Sequence, residues 1–247
     1  MKYFWSVLLL LLMTACTPSK SPLIIGHRGA MGYETENTIA SIEKAMELGV
    51  DMIEIDVFRI SSGEIAVFHD ERVDRLANGA GRIEDYNMFD MRALVLDGGH
   101  GIPILQDVLK TVNAQVPLNI ELKGANTSDR VNFITDYYIK ERGWSADQFL
   151  ISSFNWDELR EFRTLDPEAR IAVLTEGNPE DAIGVARELG AEAINPSVAT
   201  VTAERVQAVH DAGFKVYVWT VNDPELFASL KEMGVDGVFS DYPDRMR

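Results

Sequence analysis

Short apolar runs alternate with longer amphipathic stretches along most of the chain. The runs are Leu23–Ile25, Met52–Val57, Leu118–Leu122, Phe149–Ile151, Ile171–Leu174, Ala193–Asn195, Val216–Trp219 and Gly237–Phe239. They read as buried strands, and the stretches between them carry helix signals. Thr38–Leu48 reads as a helix ending at Gly49, which leads into Met52–Val57. Asp181–Leu189, Thr202–Ala212 and Pro224–Met233 end in the same way at Gly190, Gly213 and Gly234. Glycine suits these positions because a helix often closes in the left-handed region, which costs little only without a Cβ. Asn37 before Thr38, Asn155 before Trp156 and the Asp223-Pro224 pair mark helix starts. Alternating strands and helices predict a parallel sheet, and eight such units predict closure into a (β/α)8 TIM barrel of the α/β class. An open doubly wound sheet is the structural alternative. It usually carries a Gly-rich phosphate loop after its first strand, and Gly26-His27-Arg28-Gly29 is not one.

A ninth apolar run, Ile65–Phe68, breaks the alternation. Only residues 61–64 separate it from the second strand, and a parallel crossover needs about a dozen residues. Residues 54–69 are therefore predicted to form an antiparallel hairpin extending the barrel rim. A two-residue turn at Ser62-Gly63 sets Asp56 opposite His69. Slipping that register by one residue turns His69 to the other face. Residues 70–101 are charged, Gly-bearing and weakly periodic, and are expected to cover part of the barrel mouth.

The two ends and the net charge refine this picture. Lys2, the apolar run Val7–Met13 and the small residues Thr14 and Ala15 are laid out as a secretory signal peptide over residues 1–15. Met13-Thr14-Ala15-Cys16 resembles the lipobox of bacterial lipoproteins, although Leu is more usual where Met13 stands. That resemblance implies lipidation at Cys16; residues 16–22 read as a short polar, Pro-bearing tether, and 23–247 have the length of one barrel domain with no composition break. The lipobox resemblance also implies export and anchoring to a bacterial membrane, facing the periplasm or the cell exterior. Cys16 is the chain's single cysteine, so it has no disulfide partner within the chain. The net charge of −16 argues against a nucleic-acid partner. It leaves room for a small anionic substrate where a metal and a few cations reverse the sign locally.

Polar residues gather where the predicted strands end, the face at which barrel enzymes work. They are His27 and Arg28, Glu54 and Asp56, His69 and Asp70, Glu121 and Lys123, Ser152 to Phe154, and Trp219 with Asp241. Glu54 and Asp56 stand two apart on one strand and so share a face, and Glu121 and Lys123 repeat that spacing. Carboxylates converging on one point need a cation, and oxygen ligands favour Mg²⁺ or Ca²⁺ over zinc. His27 and His69 suit general acid–base work. A lone histidine is more often structural, and His100 and His210 are read as structural or surface residues. Arg28 and Lys123 are candidate phosphate clamps. Trp219 and Phe154 are candidate walls of a substrate site, although an aromatic residue here could equally be core.

These residues resemble the glycerophosphodiester phosphodiesterase family. The matching pieces are His27-Arg28-Gly29, Glu36-Asn37-Thr38, Glu54-Ile55-Asp56-Val57, His69-Asp70, Ile102-Pro103-Ile104-Leu105 and Asn119-Ile120-Glu121-Leu122-Lys123. Val218-Trp219-Thr220-Val221-Asn222, Gly234-Val235-Asp236-Gly237 and Ser240-Asp241-Tyr242-Pro243 follow in family order. The resemblance implies a (β/α)8 barrel hydrolysing glycerophosphodiesters to glycerol 3-phosphate and an alcohol. It implies catalysis by His27 and His69, metal ligation by Glu54, Asp56 and Glu121, and phosphate contacts from Arg28 and Lys123. The family usually has Pro where Thr35 stands and Thr where Ser240 stands, and neither change touches these residues. A lysophospholipase D-like enzyme or another lipid phosphodiesterase on the same barrel is the nearest alternative. A glycerophosphodiester-binding lipoprotein without activity is expected to lack a histidine or a carboxylate, and this chain keeps them all. An aldolase- or isomerase-type barrel would leave His69 without a purpose.

Overall fold

A computed structural model describes residues 21–247. The signal peptide, Cys16 and most of the tether lie outside the described residues. Eight parallel strands close into a barrel: β1 (Leu23–Gly26), β2 (Met52–Arg59), β4 (Leu118–Leu122), β5 (Phe149–Ser153), β6 (Arg170–Thr175), β7 (Ala193–Pro196), β8 (Lys215–Val218) and β9 (Gly237–Ser240). Their order is β1-β9-β8-β7-β6-β5-β4-β2, and pairing of β1 with β2 shuts the ring. The flanking helices are α1 (Ile39–Glu47), α3 (Leu105–Val112), α4 (Ser128–Glu141), α5 (Trp156–Leu165), α6 (Ile183–Leu189), α7 (Ala203–Asp211) and α8 (Pro224–Met233). A short 3₁₀ turn, Pro243–Met246, stands where an eighth outer helix would follow β9 and buries Met246.

The helix ends follow the chemistry of their residues. Gly190 and Gly234 adopt positive φ as left-handed caps of α6 and α8. Asn155 and Asp223 cap α5 and α8 through side-chain oxygens. Asn37 does not cap α1. Thr38 does so, by accepting from the Ser41 N–H. The Asn37 side chain instead turns to Asp56, because a short amide matches both the backbone N–H and the carboxylate there.

Three apolar cores support this frame. The largest lies between the barrel and its helices and holds alternate strand residues such as Ile53, Ile55, Ile120 and Val173. A plug of Ile25, Met52, Leu150, Ala172, Ala193, Tyr217 and Phe239 fills the barrel floor. The third lies under the insertion between β3 (Ile65–Val67) and α3, where Phe58, Phe68, Val73, Ile83, Met91, Leu96 and Ile102 pack together. That insertion contains short 3₁₀ turns and one small helix, α2 (Met88–Arg92), rather than open loop.

The hairpin exists, in a register one residue away from the expected one. Val57 pairs with Val67, Phe58 with Ala66 and Arg59 with Ile65, so Asp56 lies opposite Phe68. The turn is the reason. Ile60 N–H bonds to Glu64 O and Gly63 N–H to Ile60 O, which makes a three-residue loop with Gly63 at φ +95°. Strict alternation from Val67 would then carry His69 away from the mouth. It reaches the mouth because regular pairing stops at Val67 and the chain bends at His69-Asp70. Phe68, nearly fully buried, pins this bend to the third core. Phe68→Ala is expected to cost about 3–5 kcal/mol, read as a lower midpoint in urea unfolding.

Candidate active site

Inward-facing positions step by two residues along each barrel strand. The strand register aligns Glu54 with Asn119, Asp56 with Glu121, and Glu121 with Ser152. The top inward layer therefore collects side chains from the whole ring. A cavity of about 400 Å³ opens there, lined by His27, Arg28, Glu54, His69, Asn119, Glu121, Lys123, Ser152, Phe154, Leu174, Glu176, Trp219 and Phe239. Asp56 borders it through contacts with Arg28 and Lys123. Every residue given a chemical role from the sequence, Cys16 apart, is at this mouth. None of residues 70–101 lines the cavity. That segment buttresses the mouth from the side instead of covering it.

Glu54, Asp56 and Glu121 are 3%, 1% and 9% exposed, and one oxygen of each lies within 4.8 Å of the others. Burial, then the Asp56 and Glu121 charges, push the Glu54 carboxyl well above the usual carboxylate range. Burial and Asp56 push Glu121 up to about 7. Glu54 Oε2 accepts from the Arg28 N–H at 2.8 Å, while Glu54 Oε1 is buried with no protein donor. Buried polar atoms are rarely left unpaired, so the corner fits a cation that would supply the missing partner. Its oxygen-only donor set fits a hard divalent ion.

Arg28 and Lys123 border this corner. Arg28 Nη1 donates to Glu36 at 2.8 Å, and Arg28 Nε lies 3.4 Å from Asp56. Lys123 Nζ is 2.9 Å from Glu121 and 3.9 Å from Asp56. Burial opposes the charge on Lys123, but Glu121 and Asp56 outweigh it and raise its pKa. Arg28 and Gly29 both have positive φ, and a Cβ at Gly29 would collide with Ser41. Glycine at 29 therefore lets the first loop press close enough for the Arg28 N–H to reach Glu54.

Each mouth histidine is held by an acid. His27 Nδ1 lies 2.6 Å from Asp241, whose other oxygen accepts from Asn222 Nδ2 at 2.6 Å. His69 Nδ1 lies 2.6 Å from Asp70. Asp70 also accepts from Arg75 Nε at 2.5 Å, and Arg75 is bidentate to Glu36 at 2.9 and 2.7 Å. These pairings assign the Nδ1 proton to the carboxylate side and leave each Nε2 as the ring nitrogen not held by an acid. His69 Nε2 is 3.3 Å from Lys123 Nζ. Burial, aided by Arg28 and Lys123, lowers the His69 pKa below its ordinary value although Asp56 opposes this. His100 and His210 stay outside the cavity, the first 4.0 Å from Glu34 and the second bound to Asp236 at 2.8 Å.

Several contributors were not singled out from the sequence. Asp241 was among the strand-end residues without an assigned role, and Asn222 and Glu36 appeared only inside resembling motifs. Arg75 carried no local signal, because its partners Asp70 and Glu36 meet it through the fold. Glu176 could have been found by stepping two residues from Leu174 along the inward face of β6.

Comparisons with known proteins give the family of the chain. The sequence profile of the glycerophosphoryl diester phosphodiesterase family matches residues 27–245. A glycerophosphodiester phosphodiesterase of Caldanaerobacter subterraneus subsp. tengcongensis is 31% identical over 91% of this chain and 96% of its own. One of Bacillus altitudinis is 32% identical over 90% of this chain and 95% of its own. Among solved structures, an Oleispira antarctica phosphodiesterase in complex with the product sn-glycerol-3-phosphate superposes with a TM-score of 0.84. It is 28% identical, covering 91% of this chain and 95% of that one. The fold and site define a TIM-barrel hydrolase. The chain belongs to the glycerophosphoryl diester phosphodiesterase family.

The carboxylate corner makes stability depend on pH in an unusual direction. Between 4.5 and about 7 the folded state keeps protons on Glu54 and Glu121 that the unfolded chain releases. The native state then binds more protons, so this contribution to stability falls as pH rises through that window. In chelator, the melting temperature of Glu121→Gln is expected to fall less steeply with pH than that of the parent. Differential scanning calorimetry across the window measures both slopes, and equal slopes would sink the assignment.

Proposed function

We propose that the protein hydrolyses glycerophosphodiesters to glycerol 3-phosphate and an alcohol, using His27 and His69 beside a divalent cation, Mg²⁺ or Ca²⁺. The observation that carries this reading is the placement of two acid-paired imidazoles on one cavity with a buried three-carboxylate corner. The product complex of the Oleispira neighbour, on a barrel of the same shape, supports the substrate class.

Glu54, Asp56 and Glu121 would hold the cation, which when bound polarises a phosphoryl oxygen and lowers the pKa of a neighbouring hydroxyl. Arg28 and Lys123 bring positive charge to the diester and stabilise what develops on its oxygens. His69 is the base. Its lowered pKa keeps it neutral near pH 7, and its unprotonated Nε2, 3.3 Å from Lys123 Nζ, is the atom that accepts the proton of the attacking oxygen. His27 is the acid. The Asp241 carboxylate holds the ring through Nδ1, and Nε2 gives its proton to the departing alcohol. The arrangement serves attack by the glycerol 2-hydroxyl, through a cyclic phosphate, and attack by water alike.

Lipid anchoring at Cys16 and export complete the proposal. Leu23 opens β1 at the barrel end opposite the mouth. An anchor seven residues before Leu23 would hold the closed end toward the membrane. That orientation favours water-soluble diesters over lysophospholipids embedded in a bilayer. Among the described residues no helix is long and apolar enough to cross a membrane.

Two measurements test this reading. His69→Ala is expected to retain divalent-ion binding by calorimetry yet lose roughly 10²–10⁴-fold in turnover of glycerophosphodiesters; near-normal turnover would remove His69 from the chemistry. Cys16→Ser is expected to move the protein from the membrane fraction to the soluble one after cell lysis, and unchanged membrane recovery would overturn the anchor.

A further inference from the structure

One flank of the barrel, far from the mouth residues, combines exposed aromatic rings with unpaired cations. On α4, Phe133 is 61% exposed and Tyr137 is 40% exposed. Their spacing of four puts both rings on one face of the helix. The Arg130 guanidinium lies 5.2 Å from the Phe133 centroid, and that of Arg142 lies 5.5 Å from the Tyr137 centroid. Arg142 Nη2 also donates to the Tyr137 hydroxyl at 2.9 Å. Two hollows of about 370 and 340 Å³ open between α3 and α4 and share Lys110, Tyr138 and Arg142. No carboxylate lines either hollow, in a chain that carries 39 acidic residues. Asp107, Asp129 and Asp136 of the same helices are taken by Arg92, Arg59 and Lys140. Among the described residues no acid pairs with Lys110, Arg130 or Arg142. The parallel strands all begin at the closed end and each helix runs back to it, so the last turns of α3 and α4 lie at the end where Leu23 enters the barrel.

We propose that this flank docks on an anionic lipid surface, with Lys110 and Arg142 taking headgroup phosphates and Phe133 and Tyr137 lying at the headgroup boundary. The inference rests on the lipid anchor at Cys16 and adds the face that the anchored protein turns to its membrane. Residues 16–22 are too few to carry the barrel away, since seven residues span at most about 25 Å. The closed end, and with it the last turns of α3 and α4, therefore stays near the bilayer. Aromatic rings suit the boundary between hydrocarbon and headgroups, and binding there grows with apolar area and with attraction to anionic lipid. Cations act on such a surface within a Debye length, about 8 Å at physiological salt, so the face in contact decides and the distant charges do not. The net charge of −16 keeps the acid-rich faces off an anionic surface, which leaves this flank as the one to approach it. A patch of this size is weak by itself. The anchor makes its contact intramolecular, so few contacts suffice. An acidic protein offers the same charge, but only the membrane is brought within reach of this flank by the chain itself. The mouth, at the other end of the strands, stays open to solution.

The test places the lipidated protein on vesicles of phosphatidylcholine alone or of equal parts phosphatidylcholine and phosphatidylglycerol, each with a nitroxide-headgroup lipid as quencher. Cys16 is the chain's single cysteine and its thiol carries the anchor, so an added cysteine takes a fluorophore at one place. Glu141→Cys puts the label beside Arg142, and Gln207→Cys puts it on an exposed position of α7, across the barrel. We expect quenching at position 141 to exceed that at position 207 roughly threefold on phosphatidylglycerol vesicles, and the excess to shrink in high salt. Lys110→Glu with Arg142→Glu should abolish the excess. Lys110→Gln with Arg142→Gln, the milder pair should the reversal misfold, should cut it to about half or less. Equal quenching at the two positions overturns the docking face and leaves the anchor standing. The same excess on neutral vesicles, unchanged in both variants, overturns the role of the cations. Shielding of the label at position 141 that grows with protein concentration in detergent, without vesicles, assigns the flank to a second copy and overturns the lipid surface. Protein that washes off the vesicles overturns anchor and docking together. Turnover of glycerophosphodiesters by the same samples tests the phosphodiesterase reading apart from both.

Discussion

Three carboxylates confined in one buried corner are the constraint around which the rest of the molecule is arranged. Burial away from water, and then the repulsion of neighbouring carboxylates, drives Glu54 and Glu121 upward in pKa. Without compensation such a corner would take up protons and lose its affinity for a metal. The surrounding loops supply that compensation. Arg28 brings both its backbone N–H and its guanidinium, Lys123 brings an ammonium, and Asn37 caps Asp56 with an amide. None of these alone neutralises the corner, and Glu54 Oε1 is left buried without a hydrogen-bond partner, which fits the cation proposed there.

The two histidines are tied to the same frame in different ways. His27 leans on Asp241 and Asn222, which belong to the last strand end and the loop after β8. Pairing of β1 with β9 brings them together, so closure of the barrel itself completes this half of the site. His69 leans on Asp70, and through Arg75 and Glu36 it shares a chain of charged hydrogen bonds with Arg28. Burial opposes the charge on Glu36, yet Arg75 and Arg28 outweigh it and hold Glu36 below the usual carboxylate range. The insertion after β3 therefore has a definite task. Its own small core fixes Phe68 beneath the bend and sets Arg75 against Glu36 across the mouth.

The period of two along the strands explains why so much of the site was legible beforehand. Glu54 and Asp56, then Glu121 and Lys123, announce one inward face because adjacent inward positions are two residues apart. The same stepping leads to Phe154, Glu176, Trp219 and Asp241. It gives no roles, and Asp241 acquires its own only from what stands across the barrel. The hairpin register departs from what local pattern predicts. A two-residue turn at Ser62-Gly63 was the simpler reading, but the three-residue loop with left-handed Gly63 shifts the register by one. His69 keeps its place at the mouth through a bend that strand alternation does not encode.

By itself, the sequence determined the alternation of strands and helices, the glycine helix ends and the inward carboxylate pairs. All three follow from short-range geometry, in which a residue's conformation and facing depend on near neighbours. Only the tertiary structure decided the hairpin register, the Asp241 and Asp70 partners of the histidines, and the link from Arg75 to Glu36. Those depend on residues far apart in the chain, held together by barrel closure and by the packing of the insertion core. The third carboxylate joins the other two for the same reason. Glu121 meets Asp56 because β4 pairs with β2 across an insertion that no local rule spans.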